Sequence, residues 1–171
     1  MKFRKLSLYT NNLESEFQFY ANTLGFEVVE SGPTRFSVKV GWSQLSFAKS
    51  ESEHKYHYCF LIPSNQLDQA LDWVEKRTEV IIIEKNKKIQ NFKTWNADSF
   101  YFNDASGNLA EFIVRHDLNN SNSSSFDLPM ALGINEIGMP TTDISNTNNQ
   151  LVTEIDSKFW KGDYERFGTN G

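Results

Sequence analysis

The chain has 171 residues, a formal charge of −5, 39% hydrophobic and 14% aromatic residues, which is material for a packed core and excludes wholesale disorder. Acidic and basic side chains are interspersed with no Lys/Arg stripe, which argues against a nucleic acid as partner. Cys59 is the single cysteine, so no intrachain disulfide is available and a reducing compartment is natural. Residues 1–6 lack the apolar core of a signal peptide, and no apolar run approaches membrane-spanning length, so a soluble cytoplasmic protein with no membrane partner is expected.

Residues 3–10 alternate, with Leu6 and Leu8 on one face and Lys5, Ser7 and Tyr9 on the other, the period of a half-buried strand. Asn11-Asn12 offers a turn and a helix N-cap, and Glu14 and Glu16 suit the first helical turn. Leu13, Phe17, Tyr20 and Leu24 recur at helical spacing, and Gly25 stands where a glycine ends a helix. Strand-like runs follow at 26–30, 35–40 and 44–48, punctuated by Gly32-Pro33 and Gly41. The order is β-α-β-β-β.

The order then repeats. Residues 56–62 alternate, and Pro63-Ser64-Asn65 breaks the strand and caps a helix carrying Leu67, Ala70, Leu71 and Val74. Residues 80–84, 99–103 and 109–114 are the next three strands, the last two joined by a turn at 104–108. Lys5 and His57 occupy matching places in the two copies. After an Asn/Ser-rich linker at 118–129, residues 134–140 resemble a strand, 145–155 a helix and 158–167 a hairpin or strand. The expected organisation is an α+β domain of paired βαβββ modules (1–117), the linker (118–129) and a partial third βαβββ module (130–171). An unpartnered half-module leaves strand edges exposed and favours a homodimer.

Two passages carry a resemblance. Leu13-Glu14-Ser15-Glu16-Phe17-Gln18-Phe19-Tyr20 with Leu24-Gly25-Phe26 resembles the first-helix signature of the vicinal oxygen chelate superfamily. That superfamily includes glyoxalases, bleomycin- and fosfomycin-resistance proteins and extradiol dioxygenases. The run from Phe102 through Asp104-Ala105-Ser106-Gly107-Asn108 to Glu111 and Phe112 looks like its closing turn and strand. The resemblance implies a cup-shaped mixed sheet with one small-molecule site. It also implies a divalent metal held by His, Glu or Gln from the first and last strands of each module. Carried over by position, those places are Lys5, Gln44, His57 and Glu111.

His57 and Glu111 are proper ligands for a first-row divalent metal, if one is bound, whereas a protonated lysine has no lone pair to give. Lys5 thus replaces the usual first-strand ligand. One expectation is that its ammonium pairs with Glu111, stands in for the metal charge and binds an anionic or carbonyl ligand, with Ser7 and Tyr9 on the same face; a solvated strand-end lysine is the alternative. Glu111 shares the face of Leu109 and Ile113, where a carboxylate is costly unless paired, and suits a general base beside a carbonyl. His57 otherwise reads as a strand histidine satisfied by a neighbour. Cys59 reads as a small core filler and His54 and His116 as surface residues. Tyr9, Phe36, Phe47, Phe100 and Phe102 read as mostly core, and Trp95 as part of a loop over the cup. Glu136 matches the first-strand place of the third module.

These residues leave competing functions. A metal-dependent lyase or isomerase of the glyoxalase kind needs His57 and Glu111 as ligands. A metal-free binding protein of the resistance or sequestration kind is favoured by Lys5. A ring-cleavage dioxygenase is least supported, because only one of its two histidines is in place.

Overall fold

Alternation in the first strand carries directly into structure. In the computed structural model, which describes residues 2–171, β1 (Lys5–Thr10) buries Leu6, Leu8 and Thr10 and exposes Lys5, Ser7 and Tyr9. A helix follows, α-helical over Leu13–Phe17 (α1) and π-helical over Gln18–Leu24, and it ends at Gly25 with φ 86°. The left-handed stop needs a residue without Cβ. Asn12 makes no side-chain cap bond, so the expected cap is a backbone turn only. The helix buries Glu16, Tyr20 and Leu24, spaced four apart. β2 (Val28–Gly32), β3 (Arg35–Val40) and β4 (Ser43–Lys49) complete a four-stranded sheet of order β1-β4-β3-β2, with β1 parallel to β4.

The second copy of this topology is β5 (His57–Leu61), α2 (Leu67–Glu75), β6 (Gln90–Phe92), β7 (Ala97–Asn103) and β8 (Leu109–Arg115). Again the first strand pairs in parallel with the last, β5 with β8. Its second strand is not at 80–84. Val80 makes a single bridge to Phe102, the chain reverses through Lys85 and Asn86 at φ 41° and 70°, and Gln90–Phe92 takes over the ladder. β9 (Gly133–Gly138) then joins this sheet antiparallel to β5, giving the order β6-β7-β8-β5-β9.

One apolar cluster runs through both sheets, with Tyr20, Phe36, Phe47, Tyr58, Phe60, Phe100, Phe102 and Phe112 all buried. Phe36 stacks on Phe47 at 5.3 Å, and Phe112 meets Phe60, Phe100 and Phe102 edge-on at 5.6 Å. Edge and offset ring contacts of this kind add about 0.5–1.5 kcal/mol each beyond their buried area. Tyr9, expected with this group, is 57% exposed instead, because it lies on the outer parity of β1.

The segment expected as a linker is a packed strap. Asn120 Oδ1 accepts from Ser64 N at 3.0 Å, Asn65 and Asn122 bond each other, and Ser124 O accepts from Gln66 Nε2 at 2.7 Å. Phe126 and Leu128 then enter the core. Its amides supply backbone-like partners for the residues ahead of α2, so Ser64 and Asn65 serve the strap rather than a helix cap. Two compact units result, 2–138 and 139–171. The smaller holds α3 (Ile144–Ile155), capped by Asp143 accepting from Asn146 N at 2.9 Å, and a hairpin of β10 (Phe159–Gly162) and β11 (Gly168–Asn170). Among the described residues, no helix is long and apolar enough to cross a membrane.

The two modules of the larger unit are tied by a buried acid cluster. Asp104 opens the turn at 104–108 and accepts from Ser106 N (3.0 Å), Asn108 N (2.9 Å), Asn108 Nδ2 (2.8 Å), Tyr20 Oη (3.2 Å) and the Tyr58 hydroxyl. Glu16, fully buried on the first helix, accepts from Ser106 N at 3.2 Å through Oε1. Burial, then the charge of Asp104, raise its carboxyl from 4.5 to about 8. A carboxyl raised in the folded state stabilises below its unfolded value and loses that contribution as pH climbs through the folded one. The melting temperature of Glu16→Gln relative to wild type should therefore rise progressively between pH 4.5 and about 8. A difference flat across that window would mean Glu16 holds no proton.

Candidate functional site

The strand registers place one row of side chains across the second sheet. Glu136 lies opposite Cys59, Cys59 opposite Glu111, and Glu111 opposite Tyr101. Period-two alternation puts His57 and Leu61 of β5, and Ile113 and Arg115 of β8, on the same face. One end of that face is apolar: Cys59, Leu61, Ala97 and Ile113 are buried and packed by Trp42, Phe92, Trp95 and Leu132. Trp42 is fixed there by its amide donating to Leu132 O at 3.0 Å. Its ring lies so close to Gly133 that a Cβ would come within 2.2 Å. Trp95 stacks on Phe92 at 5.1 Å, so the loop expected over the cup does pack on this face.

His57 stands at the other end with its ring about one-third exposed. Its Nδ1 lies 3.1 Å from Leu109 O, and a carbonyl only accepts, so Nδ1 carries a proton. Nε2 faces Glu111 Oε2 at 3.3 Å, where Glu111 is 3% exposed. Two lone pairs would repel there, so this contact needs a second proton between Nε2 and Oε2. Burial alone would lower the histidine's pKa; the hydrogen bond and charge of Glu111, with the Leu109 carbonyl, outweigh it and hold the pKa above the usual value.

The rest of the row responds to the same carboxylate. Burial and then the charges of Glu111 and Glu136 push the Cys59 thiol well up, which keeps it a neutral filler. Burial and Glu111 also raise the Tyr101 phenol. Glu136 is raised by burial first and Glu111 second, against the guanidinium of Arg115, to which it is ion-paired. Gly138 lies opposite His57, and a Cβ on it would stand 3.1 Å from His57 Cβ.

His57 and Glu111, matched from sequence, are thus brought together, and Glu136 joins them. The ion-pair partner of Glu111 is His57, not Lys5. Lys5 lies on the first sheet opposite Gln44, with Ser7 opposite Ser46. Register also corrects one position: Cys59, two residues past His57, faces Glu111, and Ser7, two past Lys5, faces Ser46. The counterpart of Glu111 in the first module is therefore Ser46 rather than Gln44. Arg115 is the member that sequence reasoning missed, although its parity with Glu111 and Ile113 marks the shared face. His54 and His116 stay outside the site. His54 stacks beside Tyr56 at 6.0 Å, and His116 Nε2 meets Asp98 at 2.8 Å.

The donor set can be tested for a metal ion. The 3.3 Å spacing of Nε2 and Oε2 suits two ligands of one ion with bonds of about 2.0–2.2 Å. A third protein ligand is not free, because the nearest further carboxylate, Glu136, is held by Arg115 and by Asn135 Nδ2 at 3.2 Å. Among the described residues, no group of three or more His, Cys, Asp or Glu is placed to hold a metal ion. The donors present do not fit a resident three-ligand metal.

The model of the Glyoxalase/Bleomycin resistance protein/Dioxygenase superfamily matches residues 2–112. An integron cassette protein from the mobile metagenome of Halifax Harbour sewage outfall is similar to 66% of this chain and 97% of its own, at 21% identity and TM-score 0.55. Lactoylglutathione lyase from Agrobacterium tumefaciens is similar over 66% and 92%, at 18% identity and TM-score 0.53. Oxidase ChaP-H2 is similar over 67% and 94%, at 18% identity and TM-score 0.52. At these identities the likeness is one of fold. A comparison with curated protein sequences gives no match.

Two measurements check the geometry. Replacing Glu111 by Gln removes the charge that favours the imidazolium, so the His57 pKa followed by NMR should fall; an unchanged value would place the second proton elsewhere. Gly138→Ala forces a methyl against His57 and should cost about 1–3 kcal/mol in chemical denaturation, the usual size of local overpacking.

Proposed function

Because this chain belongs to the Glyoxalase/Bleomycin resistance protein/Dioxygenase superfamily, we propose that it binds a small molecule on the His57–Glu111 face of the second sheet without a metal ion. The observation that carries this reading is the His57–Glu111 pair, a partly exposed imidazole whose pKa is raised by the buried carboxyl group beside it. Nδ1–H is held by Leu109 O, so a carbonyl or anionic oxygen would compete with Glu111 for the Nε2 proton, and the carboxylate favours the charged form of the imidazole. Trp42, Phe92 and Trp95 supply flat apolar surface on the same face for the rest of the ligand. Lys5, Ser7, Tyr9 and Gln44 belong to the first sheet, with Lys5 opposite Gln44 and Ser7 opposite Ser46. The reading is of a sequestering protein, the second of the alternatives raised by the sequence.

A lyase or isomerase reading has one specific observation in its favour. Glu111 is 3% exposed and touches a group able to return a proton to it. That is the arrangement of a general base beside a carbonyl compound. Turnover lost in Glu111→Gln while ligand affinity is kept would favour it over sequestration.

Family and neighbour names suggest two probes, bleomycin and S-lactoylglutathione. Each should be titrated against the protein with tryptophan fluorescence as the signal. Saturable binding of one of them, weakened about tenfold or more in His57→Gln, is the expected outcome, since a hydrogen bond to a charged group contributes about 1.5–3 kcal/mol. Equal affinity in wild type and His57→Gln would remove His57 from the site.

A further inference from the structure

Glu111 and Glu136 place two carboxylates in one row of the second sheet, separated by the uncharged Cys59. Neighbouring strands are about 4.8 Å apart, so two carboxylates one strand removed from each other repel strongly in a half-buried setting. In a metal protein a divalent ion would absorb that charge. Here Arg115 does so against Glu136, and His57, when protonated, does so against Glu111.

Arg115 is built for this place. It sits four residues beyond Glu111 on β8, opposite Ala97, whose small side chain leaves room for a long one. Its guanidinium carbon lies 6.0 Å from the Trp95 ring, and its Nη2 reaches Glu136 Oε1 on β9. The side chain therefore lies lengthwise over the face, from the aromatic end to the carboxylate row. Asn135 Nδ2 donates to the same Oε1 at 3.2 Å and keeps that oxygen turned toward the guanidinium. Arginine stays charged at every accessible pH, so this cation is permanent.

We propose that Arg115 is a tethered cation standing in for a metal ion: it holds Glu136 away from the His57–Glu111 pair and closes this face to divalent metals. The proposal rests on the metal-free reading above and adds the residue that enforces it. Removing the guanidinium leaves two carboxylates and one imidazole on one face with no permanent counter-charge, donor types suited to zinc, nickel or manganese. The same removal deprives the wild-type site of half its positive charge.

Isothermal titration of Zn²⁺, Ni²⁺ and Mn²⁺, one at a time, tests this on wild type, Arg115→Met, Arg115→Lys and Arg115→Met/His57→Gln. Methionine keeps an apolar stem on Trp95, and Arg115→Gln serves as a second variant should Arg115→Met fail to fold by circular dichroism. The expected result is no stoichiometric binding to wild type or Arg115→Lys. One equivalent should bind Arg115→Met, with affinity lost about tenfold or more when His57→Gln is added. Wild type and both neutral variants all refusing metal would overturn the role of Arg115 while leaving the metal-free site standing. One equivalent bound by wild type and lost in His57→Gln would overturn both.

Discussion

A parallel strand pair cannot be closed by a tight turn, so each module must send its chain through a helix and two further strands before the last strand returns beside the first. That constraint fixes β1 against β4 and β5 against β8, with registers running from Lys5↔Gln44 and His57↔Leu109. Once register is set, alternation decides which side chains face the core and which face outward. A slip of one residue on β8 would bury Glu111 among Phe60, Phe100 and Phe102 and turn Phe112 outward. The aromatic packing around Phe112 therefore secures the placement of Glu111 from the opposite side of the sheet.

The larger unit contains two buried carboxyl sites and treats them in opposite ways. Glu16 lies beside Asp104, with no cation in the cluster, and takes a proton instead. Glu111 lies beside an imidazole whose other nitrogen is committed to a carbonyl, and it raises the pKa of that neighbour. The first arrangement holds modules together, because donors from both converge on Asp104. The second leaves one member at the surface with a third of its ring exposed. A buried acid without a partner would be costly in either place. The difference between structural and ligand-facing use lies in whether the charge is removed or paired.

Period-two patterns made much of this legible before any coordinates. The faces of β1 and β5, the helix stop at Gly25 and the doubled module follow from local spacing, and His57 and Glu111 from the family resemblance, although the partner expected for Glu111 was Lys5. What sequence could not give were quantities set by long-range register. Gln44 and Ser46 have the same local pattern, and only the Ser7↔Ser46 pairing identifies the counterpart of Glu111. The run Val80-Ile81-Ile82-Ile83 has strong strand propensity, yet the left-handed turn at Lys85 and Asn86 lets Gln90–Phe92 take the ladder. The Asn/Ser-rich stretch reads as a linker by composition, but its amides find partners at Ser64, Asn65 and Gln66, and Phe126 anchors it. Arg115 was overlooked because a charged residue at a strand end is ordinarily solvated; its meaning depends on Glu136, twenty-one residues away on another strand.

The two modules share a backbone plan and have separated in chemistry. In the second, the central row reads Cys59, Glu111, Tyr101, with His57 one step along. In the first, the corresponding row reads Ser7, Ser46, Ser37, Glu30, with Lys5 in the histidine's place. Its hydroxyls satisfy one another, Ser37 to Ser46 at 2.8 Å and Ser37 to Glu30 at 3.2 Å, and Glu30 also faces Arg35 at 3.9 Å. That row is self-contained, whereas the row of the second module needs a proton on His57 and a guanidinium on Glu136 to balance its charge. An added ligand can compete for those cations, but it has little to gain from hydroxyls already paired.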